Sequence, residues 1–236
     1  MSRYAALLLI FFTAAATLAS GFSFEVGAIG AGGLSFAKGS YLDEKAAVLA
    51  EWGLSSIGLA GSSRDAIFPG WSFGAYAEID FLEWIGVRLE PRIVLFGAAR
   101  EALTDAGIVF DQYGVYFSSM LIPVLARGRL PVGPGFFTAT AGPFLGMVAG
   151  PVFVVDRYAS STTTAALTLA SSDSTFFGLS GGLGYALPLG PGVASIELRA
   201  EGVFTPIATT QMGNGITALG TTLAASYGIR LAGGAR

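Results

Sequence analysis

Apolar and polar residues alternate one by one over several stretches of this chain. In 71–80, Trp71, Phe73, Ala75, Ala77 and Ile79 take one parity, and Ser72, Gly74, Tyr76, Glu78 and Asp80 the other. In 85–95, Ile85, Val87, Leu89, Ile93 and Leu95 alternate with Gly86, Arg88, Glu90, Arg92 and Val94. In 194–204, Ala194, Ile196, Leu198, Ala200 and Phe204 alternate with Ser195, Glu197, Arg199, Glu201 and Val203. Successive strand side chains point to opposite faces, so each stretch is a strand with one apolar and one polar face. On a helix, Arg88, Glu90 and Arg92 would spread around the circumference. The pattern predicts eight strands, at about 22–36, 70–80, 84–96, 114–130, 135–150, 174–188, 192–205 and 217–233.

The rival reading is a set of spanning helices. Windows 130–155, 174–196 and 202–229 carry no charge and are long enough to cross a bilayer. They are punctuated like hairpins, however. The first holds Pro131, Pro134, Pro143 and Pro151, and the second Pro188 and Pro191, all among many glycines.

The connections alternate in length. Phe81 to Glu83, Pro131 to Pro134 and Leu189 to Pro191 are short; 37–69, 97–113, 151–173 and 206–216 are long. Short turns at one end and long loops at the other are the signature of outer-membrane barrels, with turns periplasmic and loops outside. An even strand number would place both termini on the periplasmic side. Two details stay open: Thr162 to Ser172 as extra strand or a further hairpin, giving eight or ten strands, and Ala46 to Leu54 as a short helix. Aromatics near strand ends suit interfacial girdles: Trp71, Phe81, Trp84, Phe96, Tyr113, Phe136, Phe137, Phe153, Phe176 and Phe177.

Composition sharpens this picture. Only 12 % of the 236 residues are charged, against 53 % hydrophobic, and glycine occurs 34 times. Soluble domains carry about 25 % charge, so part of this surface is expected to face lipid. A net charge of −3 gives no reason to expect a nucleic-acid partner. At the start, Arg3, the apolar run Ala5 to Phe12 extended through Leu18, and the small residues Ala19, Ser20 and Gly21 read as a secretory leader over 1–21, cleaved to leave a barrel domain over 22–236.

The inward parity collects charge. It holds the acids Glu25, Glu78, Asp80, Glu90, Glu197 and Glu201, and the bases Arg88, Arg92, Arg127, Arg129, Arg199 and Arg230. An eight-strand barrel is filled by its own side chains. Balanced acids and arginines are what a buried ionic network needs, because an unpaired buried charge costs far more than a paired one, and the guanidinium fork suits bidentate pairing. The expectation is a structural plug rather than a proton or ion path.

One region resembles a known family. Tyr113-Gly114-Val115-Tyr116-Phe117-Ser118-Ser119-Met120-Leu121-Ile122-Pro123-Val124-Leu125-Ala126-Arg127-Gly128-Arg129 is followed, after a short turn, by Phe136-Phe137-Thr138-Ala139-Thr140-Ala141-Gly142-Pro143-Phe144-Leu145-Gly146. This resembles the PorT-like outer-membrane β-barrel proteins, which carry an Ile-Pro-Leu-Leu strand followed by an Ala-Gly-Pro strand. Val26-Gly27-Ala28-Ile29-Gly30-Ala31-Gly32 looks like that family's glycine-rich first strand. The resemblance covers about 22–233 in layout, and its specific part is 113–146. It implies a small antiparallel up-and-down barrel in the outer membrane of a Gram-negative-type bacterium, and no single activity.

No active site is legible. Without histidine the usual base for a serine nucleophile is missing, and without cysteine as well a zinc site is not expected. The loop acids Asp43, Glu44, Asp65, Asp105, Asp111, Asp156 and Asp173 match no calcium-loop spacing. Gly27, Gly30, Gly32 and Gly33 match no nucleotide fingerprint. No cofactor is expected. The reading is a non-enzymatic barrel in contact with outer-membrane lipid, acting structurally or through its long loops on a surface ligand or partner protein. The alternatives are a narrow transport barrel for ions or a small apolar ligand, and a soluble lipocalin-like binding barrel.

Overall fold

A computed structural model describes residues 22–38, 61–66, 68–104, 109–150, 152–158, 161–167, 175–205 and 217–232. These form twelve antiparallel segments: β1 (Ser23–Lys38), β2 (Gly61–Ala66), β3 (Phe68–Leu82), β4 (Ile85–Leu89), β5 (Arg92–Thr104), β6 (Val109–Val132), β7 (Gly135–Val148), β8 (Val152–Tyr158), β9 (Ser161–Leu167), β10 (Thr175–Leu189), β11 (Gly192–Val203) and β12 (Thr217–Ala232). Nine of them close a ring. β1 pairs with both β3 and β12, and the sheet continues through β11, β10, β7 and β6 back to β4 and β5. The last two lie end to end between β3 and β6. They make one stave interrupted at Glu90–Pro91, so the barrel has eight staves.

The interruption follows from Pro91, which has no N–H to give a ladder. Hydrogen bonding still continues across it: Ala75 N–H donates to the Pro91 carbonyl at 3.1 Å, and Glu90 N–H to the Pro123 carbonyl at 3.0 Å. A closed ring leaves few unpaired backbone groups in its wall, the condition for a sheet to sit in hydrocarbon.

Three tight turns lie at the end that also holds Ser23 and Ala232. Two share a pattern: Val132 pairs with Gly135 across Gly133-Pro134, and Leu189 with Gly192 across Gly190-Pro191. Gly133 and Gly190 have φ of 60° and 59°. A glycine with positive φ followed by proline is the type II′ arrangement, whose twist matches the flanking strands. The third turn is Glu83–Trp84.

The ring is thus eight staves, not ten. The chain after β7 does form a further hairpin, but it attaches through β8 to the loop-end part of β6, at Asp111–Tyr116, with β9 paired to β8, and leaves the ring unchanged. β2 was not predicted. Its sequence, Gly-Ser-Ser-Arg-Asp-Ala, has no apolar alternation, and its backbone is held by pairing with Ala99–Thr104 of β5. The leader over 1–21 and the helix expected at 46–54 lie outside the described residues.

The faces separate by parity. Phe73, Leu183, Ile196, Leu198 and Leu223 are each more than half exposed and stand on the outside. The inside is layered. Toward the loop end Phe96, Phe117, Phe144 and Phe176 pack together, with Phe144 edge-on to Phe176 at 6.4 Å between centroids. Gly146 and Gly178 make room for this layer. A Cβ on Gly146 would come within 2.2 Å of the Phe176 ring, and one on Gly178 within 2.2 Å of the Phe144 ring. Below the aromatics, the interior is ionic.

Candidate functional site

The ionic interior is built by neighbouring staves presenting alternate residues to the lumen. Glu78 on β3 is fully buried and sits at the centre of the turn-end cluster. It accepts hydrogen bonds from Arg88 Nε and Arg127 Nη1, both at 2.6 Å, and from Arg129 Nη2. Arg129 Nη1 also donates to Asp80 at 2.6 Å, and Asp80 accepts the Ser23 hydroxyl at 2.6 Å. Glu25 accepts the Tyr76 hydroxyl at 2.7 Å and faces Arg129 at 3.8 Å and Arg230 at 3.6 Å. The Arg88 guanidinium carbon lies 4.1 Å from the Tyr76 ring centroid, a cation–π contact.

The second cluster spans the lumen. Glu90 and Arg92 belong to the third stave and Arg199 and Glu201 to the seventh, directly across the ring. Both Nη atoms of Arg199 donate to the Glu90 carboxylate, one at 2.8 Å, in a fork matching the two oxygens. Arg199 Nε also faces Glu197 at 3.0 Å, and Thr140 donates to the same carboxylate. Arg92 pairs with Glu201, which accepts the Ser180 hydroxyl at 3.2 Å. Arg88 faces Glu90 at 3.3 Å and joins the two clusters.

The structure therefore brings all twelve inward charges into ion pairs. Ten form one connected network, beside the Arg92–Glu201 pair. Eleven are buried; Arg230, at the turn-end rim, keeps 41 % of its side chain exposed. Among the described residues no acidic, histidine or cysteine cluster could hold a metal ion.

The aromatics divide. Trp71, Phe81, Trp84, Phe137 and Phe177 are exposed on the outer surface. Phe96 and Phe176 correct the girdle expectation: they are 4 % and 0 % exposed and stand in the lumen. They share the parity of Arg92 and Val94 in one case and of Ser180 in the other, so alternation overrides their position near strand ends. Phe136 is partly buried on the inward parity of β7, and Phe153 stacks on Tyr116 at 5.2 Å in the loop-end hairpin. The Tyr113 side chain lies outside the described residues. Sequence reading also missed Tyr76, Thr140 and Ser180 as members of the network. Their inward parity beside charged residues was the available signal.

No helix among the described residues is long and apolar enough to cross a membrane, which says nothing of a β-barrel. No family model and no curated protein matches the chain. Solved structures do. The outer membrane protein OprG from Pseudomonas aeruginosa is 9 % identical, over 91 % of this chain and 98 % of that one, with a TM-score of 0.39. Ail, the attachment invasion locus protein of Yersinia pestis, in complex with the heparin analogue sucrose octasulfate, is 12 % identical over 88 % and 99 %, with a TM-score of 0.38. A further Ail structure is 11 % identical over 88 % and 97 %, with a TM-score of 0.33. Ring closure, parity and burial in the chain itself make it an all-β, antiparallel up-and-down barrel with an apolar outside and an ionic, aromatic-capped inside.

Proposed function

We propose that this chain is a non-enzymatic outer-membrane barrel, exported behind a cleaved leader, whose plugged interior is a rigid support for an interaction surface at the loop end. The observation that carries the reading is the pair of ion pairs, Glu90–Arg199 and Arg92–Glu201, that cross the lumen between opposite staves. Together with the Phe96–Phe117–Phe144–Phe176 layer above them, they set buried side chains across the lumen at two levels, which supports a plug over an ion path. The exposed apolar outside supports membrane insertion: a soluble barrel rarely exposes so continuous an apolar surface. Within this class the reading is a PorT-like barrel, supported by Ile122-Pro123-Val124-Leu125 on β6 and Ala141-Gly142-Pro143 on β7, neighbouring strands that pair at Pro123↔Phe144 and Ala126↔Ala141 on either side of these motifs.

Reconstitution into a planar bilayer tests the plug. The expected result is no unitary conductance at either polarity. Reproducible steps would favour the transport reading instead.

The loop end is the remaining surface with a role to play. β2, β8 and β9 extend the sheet there beyond the ring. Replacing 39–60 and 159–160 together with 168–174 by short linkers is expected to leave a folded barrel and abolish binding of cells to host or neighbouring surfaces. Retained binding by the folded, trimmed barrel would remove the loops as the interaction module.

A further inference from the structure

The sheet runs beyond the ring at the loop end and, among the described residues, stops there at two edges. One is β2, Gly61–Ala66, and the other is β9, Ser161–Leu167. A strand edge presents a row of N–H and C=O groups that another chain can pair with, and charged residues on the edge strand are a common guard against this. β2 has that guard in Arg64 and Asp65, and begins on a glycine. β9 lacks it. Its sequence is Ser-Thr-Thr-Thr-Ala-Ala-Leu, with no charge, proline or glycine. It pairs with β8 along its whole length, from Tyr158↔Ser161 to Val152↔Leu167, and among the described residues with nothing on its other side.

We propose that the free edge of β9 pairs antiparallel with β9 of a second copy of this chain, held in a facing membrane. The inference rests on the membrane reading and names the partner of the loop-end surface. A second copy supplies what the contact needs on the other side: an edge strand of equal length, already extended, so that little ordering cost falls on binding. The composition agrees. A two-fold pairing centred on Thr164 sets Thr163 opposite Ala165, Thr162 opposite Ala166 and Ser161 opposite Leu167, so no like charges meet. A charged partner strand finds no complement on such an edge.

The direction of β9 decides where the second copy stands. β8 runs antiparallel to β6, a stave of the ring, and β9 antiparallel to β8, so β9 keeps the direction of the staves. Two copies in one membrane are related by an axis along the membrane normal. With staves tilted about 35–45°, their β9 strands then cross at twice the tilt, about 70–90°, too far apart in direction for a ladder. Two copies in facing membranes can be related by an axis that lies in the membrane plane and passes through the sheet at right angles. That axis turns one β9 antiparallel to the other, whatever the tilt. The edge therefore joins two surfaces and not neighbours in one surface. Its seven residues make a small contact, so the link depends on many copies acting together on each surface.

The test is docking of vesicles. The refolded barrel is reconstituted by detergent removal, in which both orientations occur and each vesicle carries outward loop ends. Two populations with different fluorophores are mixed, and mixed clusters are counted. The expected result is clustering when both populations carry the protein and none when one is protein-free. Thr164→Lys sets like charges opposite each other at the centre of the pairing. It should reduce clustering by about tenfold or more, because the loss at each pair multiplies over the many pairs of a contact. Thr164→Glu should do the same, and mixing Lys vesicles with Glu vesicles should restore clustering. Ser62→Lys and Ser62→Glu, on the guarded edge of β2, should leave clustering unchanged. β9 lies outside the ring, so these variants should keep the denaturation midpoint of the unaltered chain. Thr163→Lys mixed with Ala165→Glu serves if a Thr164 variant does not fold. Clustering of Thr164→Lys vesicles equal to that of the unaltered protein would overturn the β9 pairing and leave the loops as the contact, since the substitution keeps the connections at both ends of β9. Clustering that follows charge at Ser62 as it does at Thr164 would also overturn it. No clustering of unaltered, protein-loaded vesicles would overturn the self-pairing alone. Failure of the barrel to enter vesicles would overturn the membrane reading beneath it.

Discussion

Glu78→Ala is expected to destabilise the folded barrel by about 3–5 kcal/mol, the cost of breaking a buried ion pair by removing one partner. Three guanidinium groups, those of Arg88, Arg127 and Arg129, converge on this one carboxylate. All three are buried in the barrel interior, where losing this carboxylate removes a partner of each. Glu78→Gln should also destabilise, because it keeps the volume but removes the charge that the three arginines share. Glu25→Ala should cost less. Of its two arginines, Arg230 is partly solvated at the rim, and Arg129 retains Glu78 and Asp80. The measurement is the guanidinium or urea midpoint of the barrel in vesicles. A midpoint for Glu78→Ala equal to that of the unaltered chain would sink the network as a source of stability.

The second large effect concerns the opposite parity. Leu198 stands between Glu197 and Arg199 in sequence, yet it is 59 % exposed on the outside, at the middle of β11. Leu198→Arg is expected to cost about 2–4 kcal/mol, the penalty for arginine on the lipid face near the bilayer midplane. The same change at Leu130, equally exposed but next to the turn-end Gly133, should cost about 0–1 kcal/mol, as near an interface. In a water-soluble barrel both substitutions would fall within about 0.5 kcal/mol of neutral. The depth dependence therefore decides between membrane and solution. Equal, small effects at both sites would show that the apolar outside does not face lipid.

Much of this architecture is local chemistry. Alternation at period two is a property of the strand itself, so the order of residues alone assigns Glu78, Arg88, Arg92, Glu197 and Arg199 to one face and Trp71, Val87, Ile196 and Leu198 to the other. The turns are equally local, since Gly133-Pro134 and Gly190-Pro191 carry the backbone preferences that make them. Phe96 and Phe176 were legible by the same rule. Placing them in a girdle gave weight to their position near strand ends over their parity.

What the order of residues leaves open is which inward groups meet. Glu90 and Arg199 are 109 positions apart. Their contact depends on the number of staves, their stagger and the closure of the ring, which belong to the whole sheet and to no segment of it. The same holds for β2, whose polar sequence becomes a strand only because β5 offers it an unpaired edge. The face of each side chain was thus set by the residue order, through the alternation of the extended backbone. Its partner was set by closure, because only closure brings opposite staves within reach of one another.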